Sequence, residues 1–529
     1  MTKNCETRLI VRQALLWAIT IVGGLLGSIV AEPIAAELIV AESIAAEPLA
    51  VGAAEAGSVG LDMAERLKKS LVRLQVAAYD YDLHRPWKHT DIAQGAKYGC
   101  AVGQYEVLTT ASGMAHVTLI KARRYGQNEF IPAKIKVVDY QNHLCLIELD
   151  REAMDEPLTG LTFSDDYKKG DKVDSFWLTG GDYVYSGRGF LDRAQMAKSP
   201  HSFALMLNYI VKNTSERTGS AELYCLGGKP IGLAGWANNE DTAGVIPARV
   251  INNFLADVAD GSYEGLPVVG FDSEELLDPA RRTYLQMPDS LRHGVYVRKV
   301  HTLGSGSDVL EAGDVLLAID GAQLDSHGQF RHPVFERLSF EYLIADKAVG
   351  ESAMFDVWRD GKEQRLEVKT RNFQAGDMLV PYHQFERQPE YIVTAGFVIQ
   401  KLTRPYLRLW GKSWSGRVSP HLYHYYRDLA FEPNDRRHDI VILSYVLPAD
   451  INLGYRNLRQ LVVAKVNGRD ITCLGDVLEA QRLDPDARFD IIELENANPI
   501  IVIPRDQLKE ADQAIARNYG IAELVHVEQ

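Results

Sequence analysis

Twice in its C-terminal half the chain drives an apolar strand into a two-residue turn. Val315-Leu316-Leu317-Ala318-Ile319 runs into Asp320-Gly321, and Leu461-Val462-Val463-Ala464-Lys465-Val466 runs into Asn467-Gly468. Asp-Gly and Asn-Gly tolerate the positive φ angles of a tight hairpin, so each copy commits its strand to an antiparallel partner. A second echo lies upstream of each turn: Pro267-Val268-Val269-Gly270-Phe271 in the first block, Ala395-Gly396-Phe397-Val398 in the second. This imperfect internal duplication predicts two modules of one small α+β fold, over residues 263–372 and 378–510, with a tail at 511–529.

The chain has 529 residues, too many for one core, and a prior of about 150 residues per domain leaves room for a further unit ahead of the pair. That unit, residues 61–260, reads as mainly β. A helical stretch over residues 61–76 (LDMAERLKKSLVRLQV) opens it. Short runs such as Tyr105-Glu106-Val107-Leu108-Thr109 and Ile135-Lys136-Val137-Val138 follow between Gly and Asp turns, the pattern of a barrel or sandwich. From Ala248 to Val258 apolar residues return at helical spacing, and this helix closes the unit.

At the N-terminus Lys3, Arg8 and Arg12 precede an apolar run from Ala14 to Ala31, the charged and apolar regions of a secretory signal. The expectation is export to the periplasm with cleavage near Ala31; the alternative for residues 1–31 is an uncleaved anchor, since a span needs ~20 apolar residues. Residues 32–60 repeat an Ala-Glu theme and read as a linker. The net charge of -14 argues against nucleic acid as a partner, because phosphate binding needs clustered Lys and Arg. Cys100, Cys145, Cys225 and Cys473 lack the CxxC spacing of a metal or redox site and read as small buried hydrophobes, a Cys100–Cys145 or Cys145–Cys225 bridge being left open. No cofactor and no metal are expected.

Residues 310–321, a Gly-Asp turn leading into an apolar strand and a second turn, resemble the hallmark stretch of PDZ domains. Gly265, Leu266, Pro267, Val268, Val269, Gly270 and Phe271 are similar to the PDZ carboxylate-binding loop and the strand after it. The resemblance implies that backbone N–H groups there capture a peptide C-terminus while the peptide adds a strand to the sheet edge. Phe330-Arg331-His332, residues 340–344, 395–398 and 450–455 are similar to the C-terminal half of plant-type Deg proteases. The first unit resembles the Deg/HtrA family in framework, which implies a trypsin-like double β-barrel followed by two PDZ-like α+β domains. Val107-Leu108-Thr109-Thr110-Ala111 matches the strand that leads to the family's catalytic histidine, and the next residue is Ser112. Asn142-His143-Leu144-Cys145-Leu146-Ile147 matches the run that carries the catalytic aspartate, with His143 in its place. Counting back from Gly228-Lys229-Pro230, the nucleophile motif reads Arg217-Thr218-Gly219-Ser220-Ala221-Glu222, with Gly219 at the nucleophile position.

A triad needs a hydroxyl, a base of near-neutral pKa and a carboxylate that orients it. Serine is no base at neutral pH, glycine has no nucleophile, and histidine brings no fixed negative charge, so all three roles are vacant. Three rescues are conceivable: Ser220 by a register shift of one, His116 as a displaced base, and a Ser112–His143 pair. None brings both a base and an oxyanion hole. His421, Tyr423, His424, Tyr425 and Tyr426 read as a helix packing its rings on the second module rather than a metal site. Residues 301–307 read as a flexible turn. The resemblance therefore implies a catalytically inactive homologue that binds peptides or unfolded proteins in protein quality control, as a homo-trimer or higher oligomer or together with an active relative. The alternative is an active serine endopeptidase.

Overall fold

The computed structural model describes residues 58–528 apart from 181–182, 215–218, 239–240, 260, 262 and 497–498. The signal or anchor at 1–31, most of the linker, and Arg217 and Thr218 of the nucleophile motif lie outside the described residues. No helix among those described is long and apolar enough to cross a membrane.

A helix, Ser58–Leu67, opens the described chain. The sequence predicted that it would run on to Val76, but Leu71–Ala78 is a strand. Val72, Leu74 and Val76 are buried, whereas Arg73 and Gln75 between them are partly exposed. A period of two over these residues outweighs their weaker match to a helical spacing, because both barrel neighbours then pair with the strand.

Twelve strands make two closed barrels. The first holds β1 (Leu71–Ala78), β2 (Ala93–Ala101), β3 (Glu106–Thr110), β4 (Val117–Arg124), β5 (Ile131–Asp139) and β6 (Leu144–Leu149), ordered β1-β2-β3-β6-β5-β4. The second holds β7 (Lys172–Leu178), β8 (Val184–Lys198), β9 (Leu205–Asn213), β10 (Leu223–Leu226), β11 (Lys229–Ala237) and β12 (Thr242–Pro247), ordered β10-β11-β12-β9-β8-β7. One apolar cluster spans both, joining Leu108 and Leu144 of the first to Phe176, Leu223 and Leu233 of the second. The helix Ala248–Ala259 buries Ala248, Ile251 and Phe254 against the same cluster, as its apolar spacing predicted.

The next module contains β13 (Phe271–Glu275), β14 (Val295–Val300), β15 (Val315–Ile319), β16 (Ala322–Gln323), a small β17 (Gln329–His332) and β18 (Glu336–Ser339) hairpin, β19 (Ser352–Arg359) and β20 (Lys362–Lys369). Its main sheet runs β13-β14-β15-β19-β20, with β16 on β15. The last module contains β21 (Tyr391–Thr394), β22 (Phe397–Lys401), β23 (Val441–Val446), β24 (Leu461–Val466), β25 (Arg469–Asp470), β26 (Phe489–Leu494), β27 (Ile501–Pro504) and β28 (Val525–His526). Within its sheet, β22-β23-β24-β26-β27, with β25 on β24, reproduces the strand order of the preceding module. The duplicated turns sit at equivalent places, between β15 and β16 and between β24 and β25. The copies differ at one edge. β13 ends its sheet, whereas β22 is flanked by β21 and then by β28.

Candidate functional site

The barrels bring the three matched positions toward their shared seam. Ser112 follows β3 and is half-buried; His143 sits in the turn between β5 and β6, only 2% exposed, with φ +57°. Its Nε2 lies 3.2 Å from the carbonyl oxygen of Gly235, an acceptor that places the ring proton on Nε2. Its Nδ1 and the Nε2 of His201 are both buried with no hydrogen-bond partner among the described residues, and the two rings are 5.0 Å apart. Burial, reinforced by His201 and Lys97, holds His143 well below the usual histidine range.

Lys97, which the sequence reading missed, reaches the same place from β2. Its register partner Leu74 is fully buried, and Lys97 itself is 7% exposed. Its Nζ donates to Thr110 Oγ1 at 3.1 Å and to the carbonyl oxygen of Ser112. Burial pushes its pKa down to about 8. Where a triad would gather an acid and a base, this chain gathers an amine and two neutral imidazoles. His116 packs instead among Tyr79 and Tyr81, with ring centroids 5.4 and 5.0 Å away.

The loop before β10 is closed in a different way. Gly219 has φ +67°, and a Cβ built there would stand 2.4 Å from the amide nitrogen of Ala237 and 2.8 Å from the carbonyl carbon of Trp236. Glu222, fully buried, turns its carboxylate back into the loop. Its Oε1 accepts the N–H of Gly219 and its Oε2 the N–H of Ser220, each at 2.8 Å. Successive amides around a positive-φ residue form a concave anion cradle, and here the chain's own carboxylate fills it. Glu222 ends the motif quoted from the sequence, yet an acidic residue before an apolar strand reads as a turn; only the fold reveals where it points.

The loop over residues 265–271 packs tightly. Gly265 N–H donates to Asp257 Oδ2 at 3.0 Å, Leu266 N–H to Gln141 Oε1 at 3.4 Å, Val268 N–H to the Arg371 carbonyl at 2.9 Å and Gly270 N–H to the Ser305 carbonyl at 2.9 Å. Pro267 has no N–H to offer. Four of the loop's six N–H groups are thus spent inside the chain, those of Val269 and Phe271 not being among them. Among the described residues no strand pairs with the outer edge of β13, just after the loop. In the last module the corresponding edge, that of β22, is covered by β21, and Ala395 N–H donates to Asp512 Oδ1 at 2.6 Å. Partial burial pushes the Asp512 carboxyl up to about 6.

The aromatic helix Pro420–Asp428 buries Tyr425, whose hydroxyl lies 3.0 Å from Glu495 Oε2. Glu495 also pairs with Arg437 at 2.7 Å and lies 2.9 Å from His421 Nε2, so these groups form one polar network. Cys100, Cys145, Cys225 and Cys473 are free thiols, the first three buried.

A family profile described as "PDZ domain" matches residues 380–525. Protease Do-like 2, chloroplastic, of Arabidopsis thaliana is 28% identical over 455 residues, covering 84% of this chain and 72% of that protein. Protease Do-like 4, mitochondrial, of the same plant is 25% identical over 443 residues, covering 83% of this chain and 81% of that protein. Among solved structures, an HtrA-type protease AlgW with decapeptide aligns at 15% identity over 59% of this chain and 98% of that one, with a TM-score of 0.44.

Proposed function

Because the chain belongs to the Deg/HtrA family, with a trypsin-like double barrel ahead of a PDZ domain, we propose that it is a peptide-binding member whose barrels no longer cleave. The observation that carries this reading is the Glu222 carboxylate on the amides of Gly219 and Ser220. An acyl-transfer site stabilises a developing oxyanion with free N–H donors beside the nucleophile. At Gly219 the donor is taken by the Glu222 side chain, no hydroxyl is attached, and no space for a Cβ remains. The missing base at position 112 and a buried His143 whose Nε2 is held by the Gly235 carbonyl support the same conclusion. Binding falls to the first α+β module, whose β13 edge is open, while the equivalent edge of the last module is already paired. The role is capture of peptides or unfolded chains in protein quality control.

Reaction of the purified chain with a fluorophosphonate probe, followed by mass-spectrometric mapping, tests the reading. No labelling is expected. Labelling of Ser112 would overturn it by showing a displaced nucleophile; labelling of Ser220 would overturn it through the Gly219 loop. Export is part of the proposal and rests on Lys3, Arg8, Arg12 and the apolar run after them. N-terminal sequencing of the mature protein, with cell fractionation, checks it, and a cytosolic chain beginning at Met1 would refute it. Assembly into trimers or larger oligomers is read out by light scattering, for which a monomer at micromolar concentration is the contrary result.

A further inference from the structure

We infer that the first α+β module takes extended internal segments of other chains rather than free C termini, an inference that rests on the peptide-binding reading above. A terminal carboxylate is held by several converging N–H donors or by a nearby cation. In the loop over residues 265–271 four of the six amides already donate within the chain, to Asp257, Gln141, Arg371 and Ser305, which leaves Val269 and Phe271 as the donors a carboxylate could still meet, and Pro267 supplies none. Two of these bonds zip the loop to a neighbouring segment: Gly270 N–H donates to the Ser305 carbonyl at 2.9 Å, and Ser305 N–H to the Val268 carbonyl at 2.7 Å. The backbones meet so closely that a Cβ on Gly270 would stand 2.6 Å from the Leu303 carbonyl oxygen. A carboxylate cannot enter between them without separating the pair.

Charge acts in the same direction. Arg371, whose carbonyl accepts from Val268, commits its guanidinium to Asp308 at 2.5 Å and to Ser307 Oγ at 3.1 Å. Asp257 meanwhile brings a negative charge onto the loop at Gly265. A second carboxylate arriving there would meet like charge, with the Arg371 guanidinium already paired.

What the module does offer is β13, which ends its sheet. Strand addition uses main-chain donors and acceptors that every extended segment carries, so it requires no chain end. Two of the three acidic side chains on β13 are paired with arginines of their own module. Asp272 pairs with Arg298 at 2.5 Å and His301 at 3.0 Å, and Glu274 with Arg281 at 3.0 Å. The edge therefore selects for an extended backbone and apolar contact beside Phe271 more than for a charged terminus.

The test is a competition on the immobilised full chain, using a degenerate ten-residue peptide library made both as the free acid and as the C-terminal amide, isotopically distinguished and mixed equally. Captured peptides are counted by mass spectrometry against bare resin. The expected ratio of acid to amide is within threefold of one. A tenfold or larger excess of the free acid overturns the inference while leaving peptide binding intact. Absence of capture of either form refutes the peptide-binding reading, and the inference with it. Ser273→Pro, which removes an N–H from β13, is expected to lower capture of both forms at least fivefold with an unchanged thermal midpoint for the barrels. Unaltered capture by that folded variant also overturns the inference.

Discussion

Returning a hydroxyl to position 219 is the repair that motif comparison invites and that the geometry opposes. In Gly219→Ser the new Cβ would stand 2.4 Å from Ala237 N and 2.8 Å from Trp236 C, both backbone atoms of β11. No side-chain rotamer relieves an overlap at Cβ. The φ of +67° adds about 1–2 kcal/mol for an L side chain. Forcing the loop off β11 adds about 1–3 kcal/mol, so the loss is about 2–5 kcal/mol in all. Urea titration followed by tryptophan fluorescence is the assay, with Trp236 as a reporter beside the change; the midpoint should fall at constant slope. The variant Ser112→His/His143→Asp/Gly219→Ser should remain unreactive with a fluorophosphonate, because Glu222 still holds the loop amides. A Gly219→Ser protein within about 0.5 kcal/mol of the parent, or a triple variant that labels at position 219, would refute the reasoning.

Arg359→Ala should cost about 3–5 kcal/mol, since it strips the partner from Asp314, whose side chain is fully buried and bonded to Arg359 at 2.6 Å; a loss below about 1 kcal/mol in chemical denaturation would contradict this. Lys97→Met should raise stability at pH 7 by about 1–3 kcal/mol by removing a buried amine. Because the folded pKa of Lys97 is depressed to about 8, the parent should gain stability as pH rises from there toward the ordinary lysine value, and the variant should lose that rise. Asp512 has the opposite sign: its folded pKa is raised to about 6, so its contribution is complete below the ordinary carboxyl pKa and fades as pH climbs through about 6. Asp512→Asn should remove that part of the pH dependence, about 1–2 kcal/mol after discounting for partial exposure, as read from thermal midpoints between pH 4 and 8.

Features carried by neighbouring residues were legible in the sequence. The Asp320-Gly321 and Asn467-Gly468 turns announce the duplication because turn chemistry is local, and the strand orders of the two modules agree. The barrels announce themselves through short alternating runs, although residues 71–76 match a helix pattern well enough to mislead until β2 and β4 claim them as a strand. The framework around Ser112, His143 and Gly219 could be aligned from motifs. What fills the site could not. Lys97 reaches Ser112 across the sheet, and Gln141 meets Leu266 from 125 residues away. The direction of the Glu222 side chain follows from the positive φ of Gly219 and Ala221. Such facts belong to tertiary structure, and periodicity carries no trace of them.

The strand β21 beside β22 has a quantitative consequence for any ligand of the last module. A tethered segment is presented at an effective concentration of about millimolar when its linker is short and flexible. An external peptide at micromolar concentration is therefore outnumbered about a thousandfold at that edge, and must bind the bare strand about a thousand times more tightly than β21 does to occupy half of the molecules. Among the described residues no strand competes with a ligand of β13. If both modules take peptides by strand addition, as proposed for the first, two modules of the same strand order stand at different thresholds, one answering dilute ligands and the other only an abundance of them or a separate event that withdraws β21.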